Sequence, residues 1–143
     1  MYERILVPVD GSAGANLALR QALGLAVGGR TRLRLAHILD AGLYHGIWRE
    51  DQAAHRTWRE TGQRFLDQAA AVAREVGVEP EVALVETDGR ISRAILDEAR
   101  RWGADLIVVG AHGRHGLEHL ALGSTAEGVI REAPVPVLSV REG

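Results

Sequence analysis

The sequence predicts an α/β fold, a single-domain doubly wound five-stranded parallel sheet with helices on both faces. Three observations carry this expectation. Five short apolar runs alternate along the chain with stretches whose apolar residues recur at helical spacing. Most of the runs are continuously apolar rather than alternating, as strands buried on both faces are. The 143 residues leave room for one core and little else, so residues 1–143 are read as one domain.

Each element has its own signal. Arg4-Ile5-Leu6-Val7-Pro8-Val9 reads as a buried strand ending at Asp10-Gly11-Ser12. Ala15 to Val27 forms a helical stripe through Ala18, Leu19, Ala22, Leu23 and Ala26, closed by Gly28-Gly29. Leu33 to Leu39 is the second strand. A long helix is expected from Glu50 to Val76, with Trp58, Phe65, Ala69, Val72 and Val76 on one face and Gly77 as its cap. Glu81 to Val85 is the third strand. Ile91 to Trp102 is a helix with Ile91, Ile95, Ala99 and Trp102 inward, positive charge at Arg100 and Arg101, and Gly103 as its cap. Asp105 to Val109 is the fourth strand. A glycine-rich stretch from Gly110 to Gly123 leads into a helix from Thr125 to Glu132. Val135 to Val140 is the last strand. Pro134 and Pro136 donate no ladder hydrogen bond, which places it at a sheet edge. Asp40 to His55 is the least patterned stretch.

Composition excludes several functions. A net charge of -2 provides no basic field for a phosphodiester backbone, so nucleic acid is not the expected partner. No apolar run approaches the ~20 residues that span a bilayer, and no membrane partner is expected. The chain enters its first strand at once, without the pattern of a signal peptide, and is read as cytoplasmic. Cysteine is absent, which removes disulfides and thiolate chemistry. All 17 basic residues are arginine. Schiff-base chemistry and the P-loop mechanism both need a lysine and are excluded.

In a doubly wound sheet, ligands bind beyond the carboxyl ends of the strands, where strand order reverses. Pro8-Val9-Asp10, Ile38 and Gly110 should meet there. The glycines after Gly110 let backbone N–H groups approach an anion, and Gly123-Ser124-Thr125 falls at a helix start, where unpaired N–H donors favour phosphate. The same residues also suit a plainer role, with Ser124 or Thr125 as an N-cap and the glycines as turn residues.

Gly110-x-x-Gly113, then nine residues, then Gly123-Ser124 resembles the ATP-binding signature of the universal stress protein family. Three further blocks resemble that family, in order and at similar distances. They are Ile5 to Ser12, Ala104 to Gly110, and Pro134 to Leu138. The resemblance implies a Rossmann-like fold of the adenine nucleotide alpha hydrolase-like kind. It implies that Pro8, Val9, Asp10 and Ile38 surround adenine and ribose, with Ile38 giving apolar contact and backbone hydrogen bonds. Gly110, His112 and Gly113 would line the ribose and first phosphates. Gly123, Ser124 and Thr125 would hold the phosphate tail. The implied ligand is ATP, with Mg²⁺ or Mn²⁺ bound through the phosphates. The implied assembly is a homodimer through the edge strand Val137 to Val140, serving stress-response regulation or signalling with a further protein partner. The competing functions are a slow ATPase and a nucleotide-independent scaffold dimer. Any hydrolysis would be weak, since His112 is the sole water-orienting candidate.

Other residues admit simpler readings. His115 and His119 are four apart, as zinc ligands on a helix are, but no carboxylate or thiolate set accompanies them. Arg114 either approaches the phosphates or lies in solvent. His45 and His55 have no visible partner. Trp48 and Trp58 are expected to cover the ligand edge or a dimer contact. Arg30, Arg32 and Arg34 are expected to form one solvated face of a strand.

Overall fold

The computed structural model describes residues 1–41, 52–112 and 122–142. Its elements run β1 (Arg4–Pro8), α1 (Ala13–Ala26), β2 (Arg32–Asp40), α2 (Gln52–Glu75), β3 (Glu81–Thr87), α3 (Ile91–Trp102), β4 (Leu106–Gly110), α4 (Ser124–Glu132) and β5 (Val137–Val140). All the strand pairs are parallel, in the order β3-β2-β1-β4-β5. The predicted fold class is therefore correct. Element boundaries differ from the sequence reading by at most two residues, and α3 matches it at both ends, with β5 at the expected edge of the sheet and β3 at the other.

The pleat divides the core cleanly. On one face Ile5, Val7, Leu33, Leu35, Leu106 and Val108 pack against α1 and α2. On the other, Leu6, Ala36, Ile38, Ile107 and Val109 pack against α3 and α4. Successive strand residues point to opposite faces, so central strands covered on both sides must be apolar at every position.

Two caps fix where helices begin and end. Ser12 is the N-cap of α1, and its hydroxyl accepts from the Ala15 N–H at 3.1 Å. Gly103 ends α3 with φ 82°, a left-handed conformation that glycine adopts without a Cβ penalty.

The inward face of α2 includes the expected Ala69, with Val72 packed against the core, but its centre differs from the expected one. Gly62, Leu66, Ala69, Ala70 and Ala73 are buried, whereas Trp58, Phe65 and Val72 are half-buried and Val76 is 47% exposed. The sheet approaches α2 too closely for large side chains along the contact line. A Cβ on Gly62 would stand 2.6 Å from His37 Cδ2. Small residues therefore take the centre of the stripe, and the larger ones flank it.

The arginine face of β2 is also corrected. Arg34 is half-buried and paired rather than fully solvated. Its Nε donates to Glu98 Oε2 at 2.7 Å and its Nη1 to Glu81 Oε1 at 3.2 Å, and its guanidinium lies 5.9 Å from the Trp102 ring centroid. Glu98 retains only 6% side-chain exposure. Burying that carboxylate requires paired charge, which Arg34 and Arg101 supply. Arg32 stays more exposed and pairs with Glu81.

Candidate functional site

A cavity of about 110 Å³ opens beyond the carboxyl ends of β1 and β4. Strand order reverses there, since β2 and β3 extend to one side of β1 while β4 and β5 extend to the other. Of the ten sequence-predicted binding residues, Pro8, Val9, Asp10, Ile38, Gly110, His112 and Thr125 line this cavity. Gly123 and Ser124 open α4 beside Thr125. Gly113 lies outside the described residues, as do Arg114, His115, His119, Tyr44, His45 and Trp48.

The floor comes from β1 and β2. The Val9 N–H donates to the Ala36 carbonyl at 2.8 Å, one step past the last paired residues, Pro8 and Ala36. Both backbone groups of a strand residue point to the same side, and the side alternates along the chain. Ala36 faces β1, so Ile38 faces that side too, two residues further on and above the end of β1. By that alternation its N–H and C=O both turn to the side where β1 has ended, and Ile38 lines the cavity there. The Ile38 side chain is buried against α3 and α4.

Asp10 is held by its own loop, its Oδ1 accepting from the Ser12 N–H at 2.9 Å. The plain helix-start role and a cavity position thus coexist in one residue. At the far side, α4 begins with Gly123 as its N-cap, a residue with no side chain, and no side-chain cap is made to the first turn among the described residues. The N-cap reading of Ser124 and Thr125 is therefore corrected. Gly123 is anchored instead by its N–H donating to the Ala111 carbonyl at 2.8 Å. The uncapped first turn turns N–H donors and partial positive charge toward the cavity edge.

Gly110 has a packing reason for being glycine. A Cβ there would lie 2.5 Å from Gly14 C and 2.7 Å from Gly14 O. A Cβ on Gly14 would in turn meet the His112 carbonyl. The start of α1 and the exit of β4 cross backbone on backbone, and this crossing sets the rear wall of the cavity.

Sequence reasoning missed several lining residues, among them Ser12, His37, Ile91 and Ile95. Ile91 and Ile95 were placed only as inward core residues, and nothing in their spacing separates core from cavity wall. His37 stood beside Ile38 within an apolar strand, and a polar residue at that position was the available signal. It is 8% exposed, its Nδ1 is 2.7 Å from the Val9 carbonyl, and its ring meets Phe65 edge-on at 5.4 Å. His55 is corrected as well. It is paired, with Nε2 2.7 Å from Glu86 Oε1, and Arg59 reaches the same oxygen at 2.8 Å. The Arg59 hydrogen bond, aided by His55, holds the Glu86 carboxyl below its ordinary range. Among the described residues no group of three or more histidines and carboxylates is placed to hold a metal ion, and no helix is long and apolar enough to cross a membrane.

Comparison with known proteins agrees with this architecture. The family model described as the universal stress protein family matches residues 1–141. The chain is 32% identical over 144 residues to universal stress protein MJ0531 of Methanocaldococcus jannaschii, covering 99% of this chain and 84% of that protein. The solved structure of the hypothetical protein MJ0577 superposes with a TM-score of 0.86 at 25% identity, over 100% of this chain and 98% of the other. A universal stress protein from Archaeoglobus fulgidus in complex with dAMP gives 0.73 at 27% identity, over 98% of each chain. A universal stress protein in complex with cAMP gives 0.71 at 26%, over 98% of this chain and 97% of that one. The chain belongs to the universal stress protein family.

Proposed function

We propose that the cavity holds an adenine nucleotide, with ATP as the ligand, and that the protein is a nucleotide-binding regulatory or signalling protein of the stress response, working in the cytoplasm. The observation that carries this reading is the Ile38 backbone pair. Adenine offers an acceptor, N1, beside a donor, the N6 amine, on its Watson–Crick edge. A strand end with an N–H and a C=O facing open space complements that edge as a further strand would. The apolar groups of Val9, Ile38, Ile91 and Ile95 suit the faces of a purine. The dAMP and cAMP held by the two related proteins support the same class of ligand.

The phosphates would run from His112 toward Thr125 and the uncapped start of α4, with Gly113 and Ser124 contributing as the family resemblance implies. Asp10 would face the ribose. Among the described residues no carboxylate cluster is assembled, which suits Mg²⁺ or Mn²⁺ held by phosphate oxygens and water rather than by a protein cage. Homodimerisation through β5 is supported by its place at the edge of the sheet and by Leu138, an exposed apolar residue on it. Calorimetric titration with ATP and Mg²⁺, with GTP as control, tests the binding reading. Measurable heat and a thermal shift with ATP alone are expected, and Gly113→Asp should remove both by placing a carboxylate against the phosphates. No response of the wild-type protein to any adenine nucleotide refutes it.

A further inference from the structure

We propose that His37 is a positioning residue that keeps the Ile38 N–H available to the nucleobase. The inference rests on the adenine-nucleotide reading of the cavity and adds to it the reason the strand end is open. A parallel ladder continued one step past Pro8 and Ala36 would have the Ile38 N–H donate to the Val9 carbonyl. That bond would consume the donor that N1 of adenine requires. Instead, the Val9 carbonyl lies 2.7 Å from His37 Nδ1. A carbonyl can only accept, so Nδ1 carries the proton and donates. The Ile38 N–H has no backbone acceptor among the described residues.

The imidazole is held where it can do this. His37 points to the face of the sheet covered by α2, opposite to the Ile38 side chain. Phe65 meets its ring edge-on, and the missing side chain at Gly62 leaves the space its Cδ2 occupies. Phe65 also packs over Gly11, where a Cβ would stand 2.5 Å from Phe65 Cε1. One ring of α2 thus braces both the histidine and the loop after β1. The Val9 carbonyl thus accepts from a ring that lies on the α2 side of the sheet.

The test is a cycle of two proteins and two ligands. Wild type and His37→Leu are each titrated by calorimetry with ATP and with 1-deaza-ATP, in which a C–H replaces N1. The wild-type protein should bind the deaza analogue about five- to tenfold more weakly, the worth of one neutral hydrogen bond. His37→Leu should bind ATP more weakly by a similar factor and no longer distinguish the two ligands. His37→Asn, whose amide nitrogen can take the place of Nδ1, should restore the discrimination, while His37→Gln should not. The Asn and Gln pair carries the comparison if the leucine variant does not fold. Equal loss for both ligands in His37→Leu would make the residue merely structural and overturn the proposal. So would a wild-type protein that binds ATP and the deaza analogue alike. A wild-type protein that binds neither ligand refutes the nucleotide reading itself, which is a different result.

Discussion

Replacing Gly110 with alanine should destabilise the protein, although the same change elsewhere in the fold should stabilise it. The added Cβ would lie 2.5 Å from Gly14 C, 2.7 Å from Gly14 O and 3.0 Å from Ala15 N. Ordinary contact begins near 3.4 Å, so the first turn of α1 would have to retreat by most of an ångström. All three obstructing atoms are backbone, and no side chain can rotate away. The turn is also tied in place by the Ser12 cap and by Ala15, Ala18 and Leu19 in the core. Overpacking of this kind costs about 1–3 kcal/mol, against a gain of about 0.4–1 kcal/mol from the less flexible unfolded chain. The clash should win, lowering the melting temperature of the ligand-free protein by roughly 2–8 °C. Gly24→Ala is the internal control. Gly24 is an exposed interior residue of α1 with nothing within 4 Å of the added carbon, so helix propensity should raise stability by about 0.5–1 kcal/mol. Both values are read by thermal and urea unfolding followed by circular dichroism. A Gly110→Ala protein as stable as wild type would refute the backbone crossing as the reason for this glycine.

Two further substitutions test the frame around the site. Burial pushes the Asp105 carboxyl up, but the N–H groups of Glu3 and Arg4, each at 2.9 Å, hold it below its ordinary value. Asp105→Asn should cost about 1–2 kcal/mol at pH 7 in urea unfolding. A depressed carboxyl stabilises the fold above the unfolded pKa near ~4 and loses that contribution as pH falls through the folded value, so the deficit should shrink below about pH 4. A deficit that does not vary with pH would rule out the charge as its source. Ser139 Oγ on β5 is buried without a hydrogen-bond partner among the described residues. Ser139→Ala should raise stability by about 1 kcal/mol, and a loss instead would contradict that reading.

The fold was legible because its signal is redundant. Each strand announced itself by a run such as Leu106 to Val109, apolar at every position, and such runs have few other uses in a chain of this size. Gly103 and the inward residues Ile95, Ala99 and Trp102 of α3 were legible for the same reason, since cap chemistry and helical period act locally. The misreadings concern what lies opposite an element. Val76 has the right spacing for the α2 stripe, but whether a helix presents large or small residues depends on how near the sheet comes. Val76 itself lies just past the helix end at Glu75, and at Gly62 the room for a side chain is taken by His37, on another element. Arg34 looked solvated because the alternation of Arg30, Arg32 and Arg34 is a property of one strand. Its burial depends on Glu98 and Trp102, 64 and 68 positions away in sequence. The cavity lining was legible where backbone must turn or stop, at Asp10 and Gly110. It was hidden where a side chain works on a neighbour's carbonyl, as His37 does on Val9.

The glycine signature itself carries two meanings that the sequence merges. Gly110 lies at the cavity, yet the atoms its missing Cβ would strike belong to α1 and not to any ligand. Gly128, outside the signature, shows the same device, since a Cβ there would meet Ser92 Oγ at 2.6 Å where α4 crosses α3. Packing requirements thus account for glycines on both sides of the cavity before any phosphate is considered. What packing does not account for is the start of α4, where Gly123 is the N-cap and the first turn has no side-chain cap among the described residues. Serine and threonine both serve well as N-caps, and here they follow the cap instead of occupying it. Placing them one and two residues late leaves the helix end open beside Thr125 on the cavity wall. The phosphate-binding part of the proposal therefore rests on the register of Gly123-Ser124-Thr125 against α4, whereas Gly110 is required by its crossing with α1.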